Sequence, residues 1–216
     1  MSTAEAVVSF HNKQETKDFY LARAEQHFVA DEIVKGQYWA NGKGCAVGCL
    51  IHGSSHTRLA DELGIPLQMA FLIDRLFEGM PTENAKEFPK RFIAAIPVGK
   101  DLEKVMDKFF LALLSDPEQG AILSANDAVR PQIQAVINLY TRQVAADYPT
   151  TQEWRAAYSA AYSAAYRAAD SAAYSAAYRA AYRAACRAAD SAACRAADTN
   201  HYLWQAEILL SLLGSA

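Results

Sequence analysis

RAAY-SAAY-SAAY-RAAD-SAAY-SAAY-RAAY-RAAC-RAAD-SAAC-RAAD, residues 155–198, is one four-residue motif written eleven times, with no glycine, no proline and a double alanine in every copy. Alanine loses no side-chain entropy in a helix and crowds nothing, so this stretch is predicted to be helical. Four residues advance about 400° around an α-helix, so each tetrad is rotated roughly 40° from the one before. The alanine stripe therefore winds around its own axis, and neighbours are expected to wrap the helix rather than flank it on one face. As a single straight rod it would span roughly 66 Å. A compact chain of this size has a radius of gyration of about 17 Å, so the helix should project or bend. The cap-type pairs Asp170-Ser171 and Asp190-Ser191 are the places where a kink is expected.

Outward from the repeat, the punctuation is that of further helices. Thr150 or Thr151 is placed to cap the repeat after Pro149. Asn12 and Glu15 form a capping pair for a helix expected to run to Gly36, with Phe19, Ala22, Gln26, Val29 and Ile33 on its apolar face. Ser54 or Ser55 opens a helix that Gly64 ends, and Pro66 opens another that Gly79 and Pro81 end. Thr82 begins a segment that Pro89 interrupts or restarts. Asp101 caps the next, Ser124 with Asp127 signals a start before Pro131, and a separate last helix carries Leu203, Trp204, Ile208 and Leu209. No segment alternates with period two. The fold expected is all-α, a bundle of eight to ten helices with a long alanine-rich helix, straight or kinked. Residues 1–150 are its helical body; 151–216 are the repeat and a C-terminal helix packed on it.

Composition narrows the function. Apolar residues make up 52% of 216, enough for a core, although much of that is alanine. The net charge of -3 and pI near 6.0 argue against nucleic acid, which needs a clustered basic surface. No run approaches the roughly 18 apolar residues of a membrane span, and the first residues lack a signal-peptide pattern. Reduced cysteines and a cytoplasmic setting are expected.

Chemistry concentrates in Gly42-Lys-Gly-Cys45-Ala-Val-Gly-Cys49-Leu-Ile-His52-Gly-Ser-Ser-His56. Cys45 at a helix start has the position of an activated thiol, with His52 or His56 as its base. Lys43 and the N–H of Gly44 suit a small anion. Cys45, Cys49 and His52 would be a sparse zinc set, and tight packing of small residues explains the same stretch without any ligand. His27 and Asp31 lie i, i+4 with Glu32 beside them, placed to orient an imidazole of this loop. Asp74 and Glu78 are a second i, i+4 pair that sets two carboxylates on one helix. In the repeat, Tyr158, Tyr162, Tyr166, Tyr174, Tyr178 and Tyr182 with Arg167 and Arg179 make a ladder of the residue types that supply interface energy.

The stretch from Tyr38 to His52, with Glu62-Leu-Gly-Ile-Pro66 and Leu76-Phe-Glu-Gly-Met-Pro81, resembles uncharacterised bacterial and phage proteins whose C-termini carry alanine tetrads. Some helical proteins of that kind are described as immunity proteins. The resemblance implies a prokaryotic or phage setting and a role in neutralising a partner, and it brings no catalytic residues. The leading expectation is thus a binding protein that takes a protein partner or a small anionic ligand, with no metal or other cofactor. A homodimer through the alanine stripe is a further expectation. A cysteine-dependent enzyme and a small zinc site are the alternatives.

Overall fold

The computed structural model describes residues 8–127, 129–161, 163 and 187–216, with 187–199 as helical backbone. Among these residues the protein is all-α: ten α-helices, a short 3₁₀ turn and one tiny antiparallel ribbon. In chain order the helices are α1 (Gln14–Val29), α2 (Ala46–Ile51), α3 (His56–Leu63), α4 (Leu67–Gly79), α5 (Thr82–Ala95), α6 (Glu103–Ser115), α7 (Ala121–Ser124), α8 (Arg130–Val144), α9 (151–161) and α10 (Arg187–Gly214). Strands β1 (Trp39–Ala40) and β2 (Lys43–Gly44) form the ribbon. No described helix is long and apolar enough to cross a membrane.

Contacts divide the chain into two compact units, one of residues 1–106 with 196–216 and one of 107–195. The first is built around α2. All six of its residues, Ala46 to Ile51, are buried, and α1, α3, α4 and α5 each pack on it. Around this short helix lie Phe10, Leu59, Leu63, Met69, Ile73, Leu76, Phe77, Phe88 and Phe92, all fully buried. Each such side chain contributes about 1.5–3 kcal/mol of transfer free energy, so the apolar centre dominates stability here.

Basic side chains close three of the helices that meet at this centre. Arg23 donates from Nη1 to Leu50 O at 2.7 Å, at the end of α2. Lys17 donates from Nζ to Ala94 O at 2.9 Å and Ile96 O at 2.6 Å, at the end of α5. Lys35 bonds Glu78 O at 3.1 Å and Met80 O, past α4. Cations at C-termini satisfy the orphan carbonyls and the negative end of the helix dipole. The C-terminal part of α10, from residue 196, belongs to the same unit: Ala206, Leu209 and Leu213 are buried, and Arg91 holds Glu207 through two 2.7 Å bonds.

In the second unit Phe110, Tyr140, Trp154 and Tyr158 follow one another as ring contacts, with centroids 5.7, 4.8 and 5.6 Å apart. Thr150 and Glu153 open α9 as a reciprocal box. Glu153 N donates to Thr150 Oγ1 at 3.2 Å, and Thr150 N donates to Glu153 Oε2 at 2.7 Å.

Several boundaries differ from expectation. Asn12 does not cap α1; Phe10, His11 and Asn12 all adopt left-handed backbone, with φ of 52°, 52° and 58°. The helix stops at Val29, because Asp31 turns left-handed at φ 52° and Ile33 leaves to bridge Gly44. Its buried face is Tyr20, Ala24 and His27, while Phe19 and Val29 are exposed. Apolar residues ring this helix without forming a stripe, so the pattern could not choose the face. Pro89 lies inside α5 without ending it. Ser124 ends the short α7 instead of starting a helix, and Asn126 accepts from Val129 N before α8. The backbone runs helical through Asp190-Ser191, and the separate C-terminal helix is the end of the 28-residue α10. The other expected kink, at Asp170, lies outside the described residues.

Candidate functional site

The site is made by a close approach that two glycines permit. The ribbon turns at Asn41-Gly42, with φ of 53° and 80°, the signature of a tight two-residue hairpin. This lays the backbone of Tyr38 directly on α2. A Cβ on Gly48 would sit 1.4 Å from Tyr38 O, and one on Gly44 would sit 2.0 Å away. No side chain fits at either position. Cys45 N donates to Gln37 O at 2.7 Å and Tyr38 O at 3.2 Å, fastening the two segments together. Cys45 also caps α2, its Sγ accepting from Gly48 N at 3.5 Å.

Beside this junction lies a cavity of about 230 Å³ lined by Gly36, Gln37, Tyr38, Cys45, Asp74 and Glu78. Helix α4 supplies the two carboxylates from one face. Asp74 Oδ1 accepts from Cys45 Sγ at 3.5 Å, while its Oδ2 accepts from Tyr38 OH at 3.3 Å and from His56 Nε2 at 3.2 Å. Both oxygens of Glu78 accept from Gly36 N at 3.1 Å. The imidazole of His56 is fixed by stacking on Phe71, with centroids 4.4 Å apart, and by the edge of Tyr38. The thiol and the two carboxylates each bring a ligand-type atom within 4.8 Å of the others, the one group of this kind among the described residues.

The Cys45 side chain is 1% exposed, and that burial pushes its thiol up to about 12. The N–H groups of Gly48 and Val47 pull the other way, and the Asp74 carboxylate reinforces the rise. Burial dominates, because an isolated thiolate in this setting would lose its solvation. Cys49 is likewise pushed up to about 12 by burial; it donates to Gly44 O at 3.3 Å and does not line the cavity. The charge of Asp74 is the first cause of a raised Tyr38 phenol.

The residues singled out in the sequence fall into separate places. Cys45 and His56 come together only through Asp74, so the thiol has a carboxylate and not an imidazole beside it. His52 stands in a second cluster. It ends α2 with left-handed backbone, stacks on Trp39 at 4.3 Å, and reaches His27 Nε2 through its own Nε2 at 2.9 Å. His27 is buried, with Nδ1 2.6 Å from Glu32 Oε2. In a neutral His27 whose Nδ1–H donates to Glu32, Nε2 is left as the acceptor from His52 Nε2–H. Burial, then the charge of Arg23, lowers the His52 pKa from its ordinary value. With Cys49 and His52 turned to other partners, a zinc set of Cys45, Cys49 and His52 is not assembled.

Nor do Lys43 and Gly44 form an anion cradle. Lys43 Nζ is 3.4 Å from Asp31 O, and Gly44 N is spent on Glu32 O at 3.0 Å. The Asp31 carboxylate pairs with Lys86 at 2.7 Å. Tyr158 is half-exposed, with its hydroxyl 3.0 Å from that of Tyr140. Tyr162, Tyr166, Arg167, Tyr174, Tyr178, Arg179 and Tyr182 lie outside the described residues.

Asp74 and Glu78 stood out in the sequence only as a carboxylate pair; nothing in the spacing tied them to Cys45, almost thirty residues earlier. The Asn41-Gly42 hairpin was the signal that could have drawn Tyr38 onto α2. Comparison with models of known families, with curated proteins and with solved structures gives no match to this chain.

Proposed function

We propose that this is a binding protein whose described body takes a cation in the cavity of Cys45, Asp74 and Glu78. One observation carries the reading: two carboxylates and a thiol converge within 4.8 Å around one small cavity, and none of its six lining residues is basic. Two carboxylates at that separation repel, and a positive ligand relieves the repulsion. A small anion, the ligand suggested by Lys43 and Gly44, meets two carboxylates here and no basic lining side chain. A thiol nucleophile finds no activation, because burial holds the Cys45 proton on and the neighbouring Asp74 reinforces that hold. A role in neutralising a partner, which the family resemblance implies, is a role for a binding protein, with the Tyr–Arg ladder of the repeat as its contact surface.

Thermal melting of the full chain with a panel of ligands tests the reading. Zinc, manganese, calcium, spermidine and arginine methyl ester supply cations; phosphate and sulfate supply anions. At least one cation should raise Tm by several degrees, and Asp74→Asn with Glu78→Gln should abolish the rise. Stabilisation by anions alone, or equal shifts in wild type and variant, overturns the proposal.

A further inference from the structure

The geometry points to a divalent transition metal ion of the zinc class as the ligand, held by Cys45 Sγ, Asp74 Oδ1 and a Glu78 carboxylate oxygen, with one coordination position left open toward the cavity. The inference rests on the reading of this cavity as a cation site and names the class of cation.

Spacing is the first argument. Zinc sits about 2.3 Å from sulfur and about 2.1 Å from a carboxylate oxygen. At a tetrahedral angle those bonds put the sulfur and oxygen about 3.6 Å apart. Cys45 Sγ and Asp74 Oδ1 are 3.5 Å apart as they stand. Glu78 is exposed and already within 4.8 Å, and a rotation of its carboxylate about the Gly36 N–H closes the remainder.

The division of labour on Asp74 is the second argument. Its Oδ2 is taken by Tyr38 OH and by His56 Nε2, and only Oδ1 turns to the thiol. Metal-binding carboxylates are held in this way, one oxygen on the ion and the other on outer hydrogen-bond donors that fix its direction. His56, clamped flat against Phe71, is such a positioning residue. Glu78 is tethered differently: both of its oxygens share the single Gly36 N–H, so one of them can turn to an ion while the other keeps that bond.

The donor chemistry is the third. An organic ammonium or a calcium ion would take oxygen acceptors and gain little from a buried thiol. A mixed set of one sulfur and two oxygens suits zinc, cobalt or iron in the divalent state and not the hard cations. Three protein ligands leave the fourth position to water or to a donor group of a bound molecule, as in metal centres that keep an open site. On binding, the Cys45 S–H bond breaks, the sulfur takes the metal, and the proton leaves to solvent.

Cobalt(II) titration of the metal-free full chain tests this, in a Cys186→Ser/Cys194→Ser background that removes the repeat's thiols. Thiolate–cobalt ligation gives a near-ultraviolet charge-transfer band, and zinc should bleach it. Cys45→Ser should remove the band, and serine at that position still caps α2. Cys49→Ser should keep it. His56→Gln should keep the band and weaken cobalt binding about 10- to 100-fold, the usual effect of losing an outer-shell partner. A band that survives Cys45→Ser, or cobalt binding with no thiolate band, overturns the inference. If cations still stabilise the protein through Asp74 and Glu78 in that case, the cation site stands with another occupant. If none does, both readings fall.

Discussion

Replacing Gly48 by alanine should destabilise the protein far more than an added methyl group ordinarily does. The new Cβ would lie 1.4 Å from Tyr38 O, and carbon and oxygen need about 3.2 Å, so ribbon and helix must part by nearly 2 Å. Overpacking of this kind costs about 1–3 kcal/mol. Parting also stretches the bonds from Cys45 N to Gln37 O and Tyr38 O, at about 1 kcal/mol each. Alanine returns about 1 kcal/mol through its better helix propensity. The net expectation is a loss of about 2–4 kcal/mol, a fall of about 1–2 M in the urea midpoint for a typical slope. Gly214, at the end of α10, has open space where its Cβ would go, and Gly214→Ala should change stability by less than about 1 kcal/mol. Urea unfolding followed by circular dichroism measures both. A Gly48→Ala protein within about 0.5 kcal/mol of wild type would refute the close approach on which the cavity depends.

Other consequences can be checked with simple measurements. In a Cys186→Ser/Cys194→Ser background, Cys45 and Cys49 should resist a disulfide reagent at pH 8 and react fully after denaturation; fast native reaction would contradict their burial. Both thiols are pushed up to about 12 against an ordinary 9.0, so the folded chain keeps protons that the unfolded chain has released. Their contribution is therefore intact below pH 9 and lost as pH rises toward 12, at about 1.4 kcal/mol per pH unit per thiol. Urea midpoints that do not fall over that interval would count against it. His52 shifts the other way: its lowered pKa contributes stability above pH 6.5 that is lost as pH falls below it, and an NMR titration of its ring should show a midpoint under 6.5. The Tyr202 ring sits where a Gly79 Cβ would be, 2.3 Å away, so Gly79→Ala and Tyr202→Ala should each cost about 1–3 kcal/mol and combine to less than their sum. Strict additivity in that double-mutant cycle would show that the C-terminal helix does not dock there.

The helical architecture was legible because its signals are local. Ser55, Asp101 and Thr150 act through backbone groups two or three residues away, and each appears where the sequence placed it. The face of α1 was not legible, since Phe19, Phe28 and Val29 are as apolar as the Tyr20 and Ala24 that are buried; only the packing of α5 and α2 decides between them. For the candidate site, the sequence supplied the chemistry but not the juxtaposition. Cys45 and His56 were evident as reactive types, yet the group between them is Asp74, brought from α4 by tertiary packing. The glycines read either as N–H donors to an anion or as small residues that permit tight packing; Gly44 and Gly48 take the second role as seats for Tyr38 O, a choice that depends on what lies opposite them. The repeat dominates the sequence, while the described site is formed wholly outside it.

Zinc-edge anomalous diffraction from crystals grown with zinc would test the centre of the account most directly. The account predicts an anomalous peak about 2.3 Å from Cys45 Sγ, within reach of Asp74 and Glu78 and absent from Asp74→Asn crystals. Zinc located only elsewhere on the chain, with the Cys45 thiol uncoordinated, would contradict it.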